Sequence, residues 1–165
     1  MPLPKRKSAR LKGYDYSKAG SYFITICVKD RKPLLSKIYV ADSLTELPQN
    51  CLTKYGMIAK KYIEQLNDFY GFLNVDKFVI MPNHIHLLLT VYESFGPPRT
   101  SVPTGSVVPQ FVGTFKRFCN KEYGKNIWQS SFHDHIIRNQ SDYLAIWEYI
   151  DTNSIKWAED KFYIK

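Results

Sequence analysis

Apolar and polar positions change period several times along this chain, and each change marks an element. Ser21-Tyr22-Phe23-Ile24-Thr25-Ile26-Cys27-Val28 is dense in β-branched and aromatic residues between Gly20 and Lys29-Asp30, which predicts a first strand. Residues 31–50 hold short apolar pieces at Leu34-Leu35 and Ile38-Tyr39-Val40, then a turn-rich stretch with Pro48 and Asn50. A hairpin or an irregular crossover fits. From Leu52 the period lengthens: Leu52, Tyr55, Ala59, Tyr62, Ile63, Leu66 and Tyr70 recur at three and four, with Lys54, Lys60, Lys61 and Glu64 between them. This predicts an amphipathic helix ending near Gly71. Two further apolar runs, 75–81 and 84–91, flank Pro82-Asn83 and predict antiparallel strands joined by a tight turn.

Residues 93–110 are rich in Pro, Gly, Ser and Thr and longer than most internal loops, which predicts a mobile loop. Val108, Phe111, Val112, Phe115, Phe118, Cys119 and Tyr123 then repeat at helical spacing, with Gly124 as the stop. Residues 132–138 predict a fourth strand, and Asn139 or Ser141 can cap a last helix running to about Trp157. The order βαββαβ plus a C-terminal helix is that of the ferredoxin-like split βαβ arrangement. This is an α+β fold whose four-stranded antiparallel sheet carries two helices on one face. Strand parity sends Ile85, Leu87, Leu89 and Val91 to the helix-covered face and His84, His86, Leu88 and Thr90 to the other, where the third helix is expected to pack.

At 165 residues the chain can bury a core without disulfides or metal staples, and it is expected to form a basic arm, 1–20, and one domain, 21–165. No apolar run approaches the roughly 18 residues that span a bilayer, and no apolar h-region follows the basic start, so a cytoplasmic, non-membrane protein is expected. Cys27, Cys51 and Cys119 are odd in number and far apart, which suggests neither a disulfide framework nor a cysteine zinc site. The net charge of +8 changes the picture more. Lys5, Arg6, Lys7, Arg10 and Lys12 precede the first acid, Asp15, and residues 94–121 carry Arg99, Lys116, Arg117 and Lys121 with no carboxylate. Two acid-free segments point to nucleic acid as the partner, with the second helix displaying its cations outward.

His84 and His86 invite two readings: hydrogen-bonded structural histidines at a strand start, or imidazoles one strand repeat apart that converge on one ion. Tyr149 and Asn153, at i and i+4 on the last helix, share one side at about 5–6 Å between Cβ atoms. A divalent ion held by His84, His86 and the Asn153 amide oxygen would keep open positions for phosphate oxygens, making Tyr149 the nucleophile toward a phosphodiester. The product would be a covalent phosphotyrosine, and the reaction transesterification rather than hydrolysis. Tyr143 and Tyr123 are alternative nucleophiles. His133 and His135 form a second His-x-His, so a four-histidine zinc site is conceivable. Glu148 flanks Tyr149 but is rotated by about 100° around the helix, as expected of a solvent charge rather than a general base.

Taken together, Val79-Ile80-Met81-Pro82-Asn83-His84-Ile85-His86-Leu87-Leu88, Ile127-Trp128-Gln129 with Phe132, Asp134 and Ile137-Arg138-Asn139, and Tyr149-Ile150 through Asn153 to Trp157 resemble the REP-associated tyrosine transposases, which are single-tyrosine HUH transposases. The resemblance covers most of the chain, including Arg10-Leu11-Lys12-Gly13-Tyr14-Asp15-Tyr16. It implies a ferredoxin-like fold, a requirement for Mg²⁺ or Mn²⁺, and a 5′-phosphotyrosine intermediate. It further implies cutting and joining of single-stranded DNA beside hairpins of repeated palindromic elements. On this resemblance His84 and His86 are the metal pair, Tyr149 the nucleophile and Asn153 the third ligand. The family commonly has Asn-Pro where this chain has Asn153-Ser154, and serine lets a helix continue where proline would disturb it. The residues alone leave open a non-catalytic ferredoxin-like nucleic-acid-binding module, a replication-initiator or relaxase-type nuclease, and a monomer or a homodimer. None of the four strands has the basic-aromatic signature of RNA recognition.

Overall fold

The computed structural model describes residues 14–16, 18–40, 46–93 and 106–163. In chain order it contains β1 (Gly20–Cys27), β2 (Ser36–Tyr39), β3 (Gln49–Leu52), α1 (Lys54–Phe69), β4 (Leu73–Ile80), β5 (His84–Val91), α2 (Val107–Tyr123), β6 (His133–Ile137) and α3 (Gln140–Thr152). The main sheet has the order β4-β5-β1-β6, and every neighbouring pair is antiparallel. This is the predicted ferredoxin-like arrangement, with the two most apolar strands, β1 and β5, at its centre.

Alternation decides the layers. Tyr22, Ile24 and Ile26 of β1 and Ile85, Leu87, Leu89 and Val91 of β5 are buried on one face. Ala59, Ile63 and Leu66 of α1 and Val108, Phe111, Val112 and Phe115 of α2 join them in a single core. Burial of each large apolar side chain is worth about 1.5–3 kcal/mol, so this layer dominates the stability of the domain. The opposite face presents Phe23, Thr25, His84, His86 and Leu88, and α3 packs against its β4–β5 side.

The ambiguous stretch 31–50 resolves into the β2–β3 hairpin, a separate two-stranded sheet. It is tied beneath the β4–β5 turn, since the Leu35 amide donates to the Pro82 carbonyl at 2.9 Å and the Asn50 side-chain amide donates to the Ile80 carbonyl at 2.8 Å. Thr53 caps α1 through its hydroxyl, which accepts from the Gly56 amide. Gly56 faces the Leu35 carbonyl so closely that a Cβ there would lie 2.1 Å from the oxygen. Gly56→Ala is therefore expected to destabilise the domain by about 2–3 kcal/mol, outweighing a helix-propensity gain of about 1 kcal/mol. Urea denaturation checks this, and unchanged stability would contradict it.

Element ends differ from the sequence pattern in three places. α1 stops at Phe69 rather than near Gly71, because Tyr70 already has extended backbone angles. β6 begins at His133, while Phe132 turns into the core. α3 ends at Thr152, short of the expected Trp157. There the chain tightens: the Ile155 amide bonds to the Thr152 carbonyl three residues back, and a single 3₁₀ turn, Trp157–Glu159, follows. This reversal carries the following residues back over the histidines. α2 stops at Gly124 as expected, with φ +70° at that residue.

α3 is seated largely by polar contacts from β4. The Tyr143 hydroxyl donates to Asp76 Oδ2 at 3.0 Å, and Lys77 pairs with Asp151 at 2.7 Å while lying over the Trp147 ring. Among its residues only Ile150 is buried, which explains its weak apolar stripe. The arm residues Lys5, Arg6, Lys7, Arg10 and Lys12, and residues 94–105 of the expected mobile loop, lie outside the described residues. Tyr14 and Tyr16, at the end of the stretch assigned to the arm, pack around Tyr22, and Tyr16 belongs to the core. No described helix is long and apolar enough to cross a membrane.

Candidate active site

β5 supplies the centre of the site. Its first and third residues, His84 and His86, face Cys27 and Thr25 across β1 and are completely buried. Their Nε2 atoms lie 3.0 Å apart. Each ring is held from its other nitrogen. His84 Nδ1 is 2.8 Å from Asn83 Oδ1, and His86 Nδ1 is 2.8 Å from Thr25 Oγ1. The Asn83 orientation is fixed independently, because its Nδ2 donates to the carbonyls of Phe162 at 2.7 Å and Arg31 at 3.3 Å. Asn83 Oδ1 can only accept, so His84 Nδ1 carries the proton and its Nε2 lone pair points inward. Phe23 stacks on His86 at 5.0 Å and Phe162 lies 4.6 Å from His84, walling the rings with apolar surface.

α3 and the turn after it bring the remaining groups. Tyr149 extends its hydroxyl to 3.4 Å from His86 Nε2 and 3.4 Å from Asp160 Oδ2, and its ring remains 39% exposed. Asp160 Oδ2 is 3.8 Å from His84 Nε2, and its Oδ1 accepts from the Phe162 amide at 2.7 Å. Asn153, at the C-cap of α3, donates its Nδ2 to Asp160 Oδ2 at 3.1 Å. This turns its Oδ1 to a position where it is buried with no hydrogen-bond partner. An orphaned buried amide oxygen is costly unless a cation or donor occupies its lone pairs.

His84, His86 and Asp160 each offer one ligand atom, all within 4.8 Å of one another, close enough to hold one metal ion. Two ligands about 2.1 Å from an ion, on adjacent corners of an octahedron, sit about 3.0 Å apart, as the two Nε2 atoms do. The donor set of two neutral imidazoles, a carboxylate and an orphaned amide oxygen fits a divalent ion. Burial lowers the His84 pKa to about 4, against the opposing effect of Asp160, and lowers that of His86 well below its usual value. Both are therefore neutral imidazoles at neutral pH, with lone pairs available to a cation. Burial, reinforced by the Asp160 charge, raises the Tyr149 pKa, so the hydroxyl stays protonated without a counter-charge.

These shifts have a consequence for stability. The unfolded chain binds protons on both histidines below about pH 6.5, while the folded site holds them neutral until much lower pH. Folding stability is expected to fall as pH drops from about 6.5 toward about 4, the lowered His84 value. Urea unfolding of the metal-free protein at a series of pH values checks this; a flat profile across that window would contradict it.

The rival residues are placed elsewhere. The Tyr143 hydroxyl is committed to Asp76, and burial together with that carboxylate raises its pKa to about 12. Tyr123 lies in the α1–α2 layer, donating to the Tyr55 carbonyl at 2.7 Å. β1 separates β6 from β5, so His133 and His135 do not join His84 and His86, and His135 pairs instead with Asp142 at 2.9 Å. Glu148 is exposed. Arg117 and Lys121 are exposed on α2, but Lys116 is not directed outward as expected. Its ammonium donates to the carbonyls of Gln129 and Ser131, bracing that loop. The sequence pattern missed Asp160, Phe162 and the orienting role of Asn83. Asp160 follows the last periodic element, and the flanking apolar Trp157 and Phe162 were the available sign that this end packs rather than solvates.

No family model matches the chain. It is similar to an uncharacterised protein of Haemophilus influenzae, at 33% identity over 175 residues, covering 96% of this chain and 93% of that protein. It is also similar to a REP-associated tyrosine transposase of Escherichia coli, at 29% identity over 141 residues, covering 86% and 70% of the two chains. Among solved structures, that of a REP-associated tyrosine transposase bound to a REP hairpin matches 92% of this chain and 76% of its own, with a TM-score of 0.62 at 23% identity. At that identity the likeness shows a shared fold.

Proposed function

Because the chain belongs to the REP-associated tyrosine transposases, we propose that it is a metal-dependent enzyme that cleaves and rejoins single-stranded DNA beside hairpins through a phosphotyrosine on Tyr149. The observation that carries this reading is the position of the Tyr149 hydroxyl, 3.4 Å from His86 Nε2, on the sheet face opposite α1 and α2. The hydroxyl is directed at His86 and Asp160, beside the point where the two imidazole Nε2 atoms converge.

His84 and His86 would hold Mg²⁺ or Mn²⁺ together with oxygens from Asp160 and Asn153. When bound, the ion neutralises Asp160 and polarises the scissile phosphate, which favours phenolate attack. Phe23 and Phe162 keep water from the imidazoles, while Asn83 and Thr25 fix the ring orientations. The Tyr149 oxygen bonds to phosphorus as the bond from phosphorus to the 3′ oxygen of the departing strand breaks. The phenolic proton passes from the Tyr149 oxygen to solvent, and the departing oxygen takes up a proton from solvent to become a 3′ hydroxyl. Attack by a 3′ hydroxyl on the phosphotyrosine reverses the step and rejoins strands. Arg117 and Lys121 of α2, with the arm cations Lys5, Arg6, Lys7, Arg10 and Lys12, supply sequence-independent attraction for the DNA backbone.

A cleavage assay tests the reading. Single-stranded DNA flanking a hairpin should be cut in the presence of Mn²⁺ and not after chelation, with the same sequence in a perfect duplex left intact. Chelator-resistant cutting, or no cutting of any hairpin strand, would overturn it.

A further inference from the structure

Tyr149 stands on a helix that the core barely holds. Of the residues of α3 only Ile150 is buried, and the contacts of the Tyr149 hydroxyl are long, 3.4 Å to His86 Nε2 and 3.4 Å to Asp160 Oδ2. The site itself grips Tyr149 only weakly. What fixes α3 comes from β4, on the other flank of the helix.

β4 carries a bulge. Its register with β5 runs Asn74↔Thr90 and Val75↔Leu89, then skips to Lys77↔Leu88, which leaves Asp76 as the extra residue. In a regular strand consecutive side chains point to opposite faces. Here the bulge reverses the parity: Leu73 and Val75 join the core before it and Phe78 and Ile80 after it, while Asp76 and Lys77 both reach α3. Without the extra residue only one of the two could. Asp76 Oδ1 accepts from Asn74 Nδ2 at 2.6 Å, and its Oδ2 accepts from the hydroxyls of Thr90 and Tyr143, the latter at 3.0 Å. Thr90 is bound in turn to the Ser21 hydroxyl of β1 at 3.0 Å, so the carboxylate that holds the helix is anchored across three strands. Lys77 completes the grip, with its ammonium 2.7 Å from Asp151 and 4.3 Å from the centre of the Trp147 ring.

Tyr143, Trp147 and Asp151 recur at i, i+4 and i+8 and form one stripe. At about 100° per residue Tyr149 stands about 200° around the helix from Trp147, on the opposite flank. The stripe thus sets the roll of α3, and Tyr149 turns with it. At a side-chain radius of about 5–6 Å a roll of about 10° moves a group by about 1 Å, and a misplacement of that size can cost about 100-fold in rate. Resting on the proposed attack by Tyr149, we propose that Asp76 and Lys77 are positioning residues of the reaction. The bulge presents both to α3, and their grip on Tyr143, Trp147 and Asp151 holds the Tyr149 oxygen where the imidazoles converge.

The test uses the full-length protein with Mn²⁺ and a hairpin-flanked single strand, and reads the single-turnover cleavage rate, the DNA affinity and the Mn²⁺ affinity. Asp151→Ala releases the grip from its exposed end, Lys77→Met removes the charge but keeps the stem, and Tyr143→Phe frees the Asp76 oxygen. Each should slow cleavage by about 10–100-fold, with both affinities within about twofold of wild type. Lys77→Arg, which can keep both the ion pair and the ring contact, should cleave within about threefold of the wild-type rate. With 3-fluorotyrosine placed at position 149, the ¹⁹F signal should shift or broaden in Lys77→Met and keep its wild-type position in Lys77→Arg. Wild-type rates in Asp151→Ala and Lys77→Met, losses confined to DNA or Mn²⁺ affinity, or Lys77→Arg as slow as Lys77→Met would overturn the positioning role. So would abolition of cleavage by Tyr143→Phe, which would make Tyr143 the attacking group. If the wild type does not cleave, the proposed function falls and the ¹⁹F signal alone decides: a shift in Lys77→Met upholds the grip on Tyr149, and an unmoved signal overturns it.

Discussion

Tyr149→Phe is expected to abolish DNA cleavage, with a loss of at least about 1,000-fold, while leaving the fold and metal affinity almost unchanged. Removing a covalent nucleophile costs three to six orders of magnitude where measured in other enzymes. The substitution deletes one oxygen whose contacts, to His86 and Asp160, are both long at 3.4 Å. The ring keeps its edge-on contact with Phe23 at 5.9 Å, so the packing loss is small. Cleavage by gel and thermal melting together decide the point. A Tyr149→Phe protein that still cuts at more than a few per cent of the wild-type rate would show that another group attacks. Tyr143 would not be a ready substitute, since its hydroxyl is held by Asp76.

The second large effect is expected from His86→Ala. Loss of a ligand-orienting partner typically costs about 10–100-fold in metal affinity, and loss of a ligand should cost more, so Mn²⁺ binding is expected to weaken by over about 100-fold. Cleavage should fall with it and recover only partly at high Mn²⁺. Asn83→Ala gives the graded comparison, because it leaves both imidazoles in place and removes the acceptor that fixes His84. Titration calorimetry with Mn²⁺ on all three proteins checks the ranking. Equal Mn²⁺ affinity in His86→Ala and wild type would remove the histidines from the metal site.

Strand parity made the histidine face legible, because a period of two allows only one assignment once Ile85, Leu87, Leu89 and Val91 must be buried. The i, i+4 spacing of Tyr149 and Asn153 was legible for the same kind of reason. What periodicity cannot report is where a chain goes after its last regular element. α3 ends at Thr152, and the tight turn that follows returns Asp160 and Phe162 to the histidines through local hydrogen bonds. No hydrophobic repeat encodes that path. Asn83 belongs to the Met81–Leu88 motif, but its role depends on three partners, at 31, 84 and 162, far apart in sequence. Lys116 illustrates the converse error. Its place off the apolar stripe predicted an outward charge, whereas two loop carbonyls draw the ammonium in.

The most direct measurement is mass spectrometry of the protein after incubation with a hairpin-flanked single strand and Mn²⁺, followed by nuclease trimming and proteolysis. One modified peptide is expected, carrying a 5′-phosphonucleotide on Tyr149 and absent when the metal is chelated. An adduct on Tyr143 or any other residue, or complete cleavage with no protein-bound nucleotide, would contradict it.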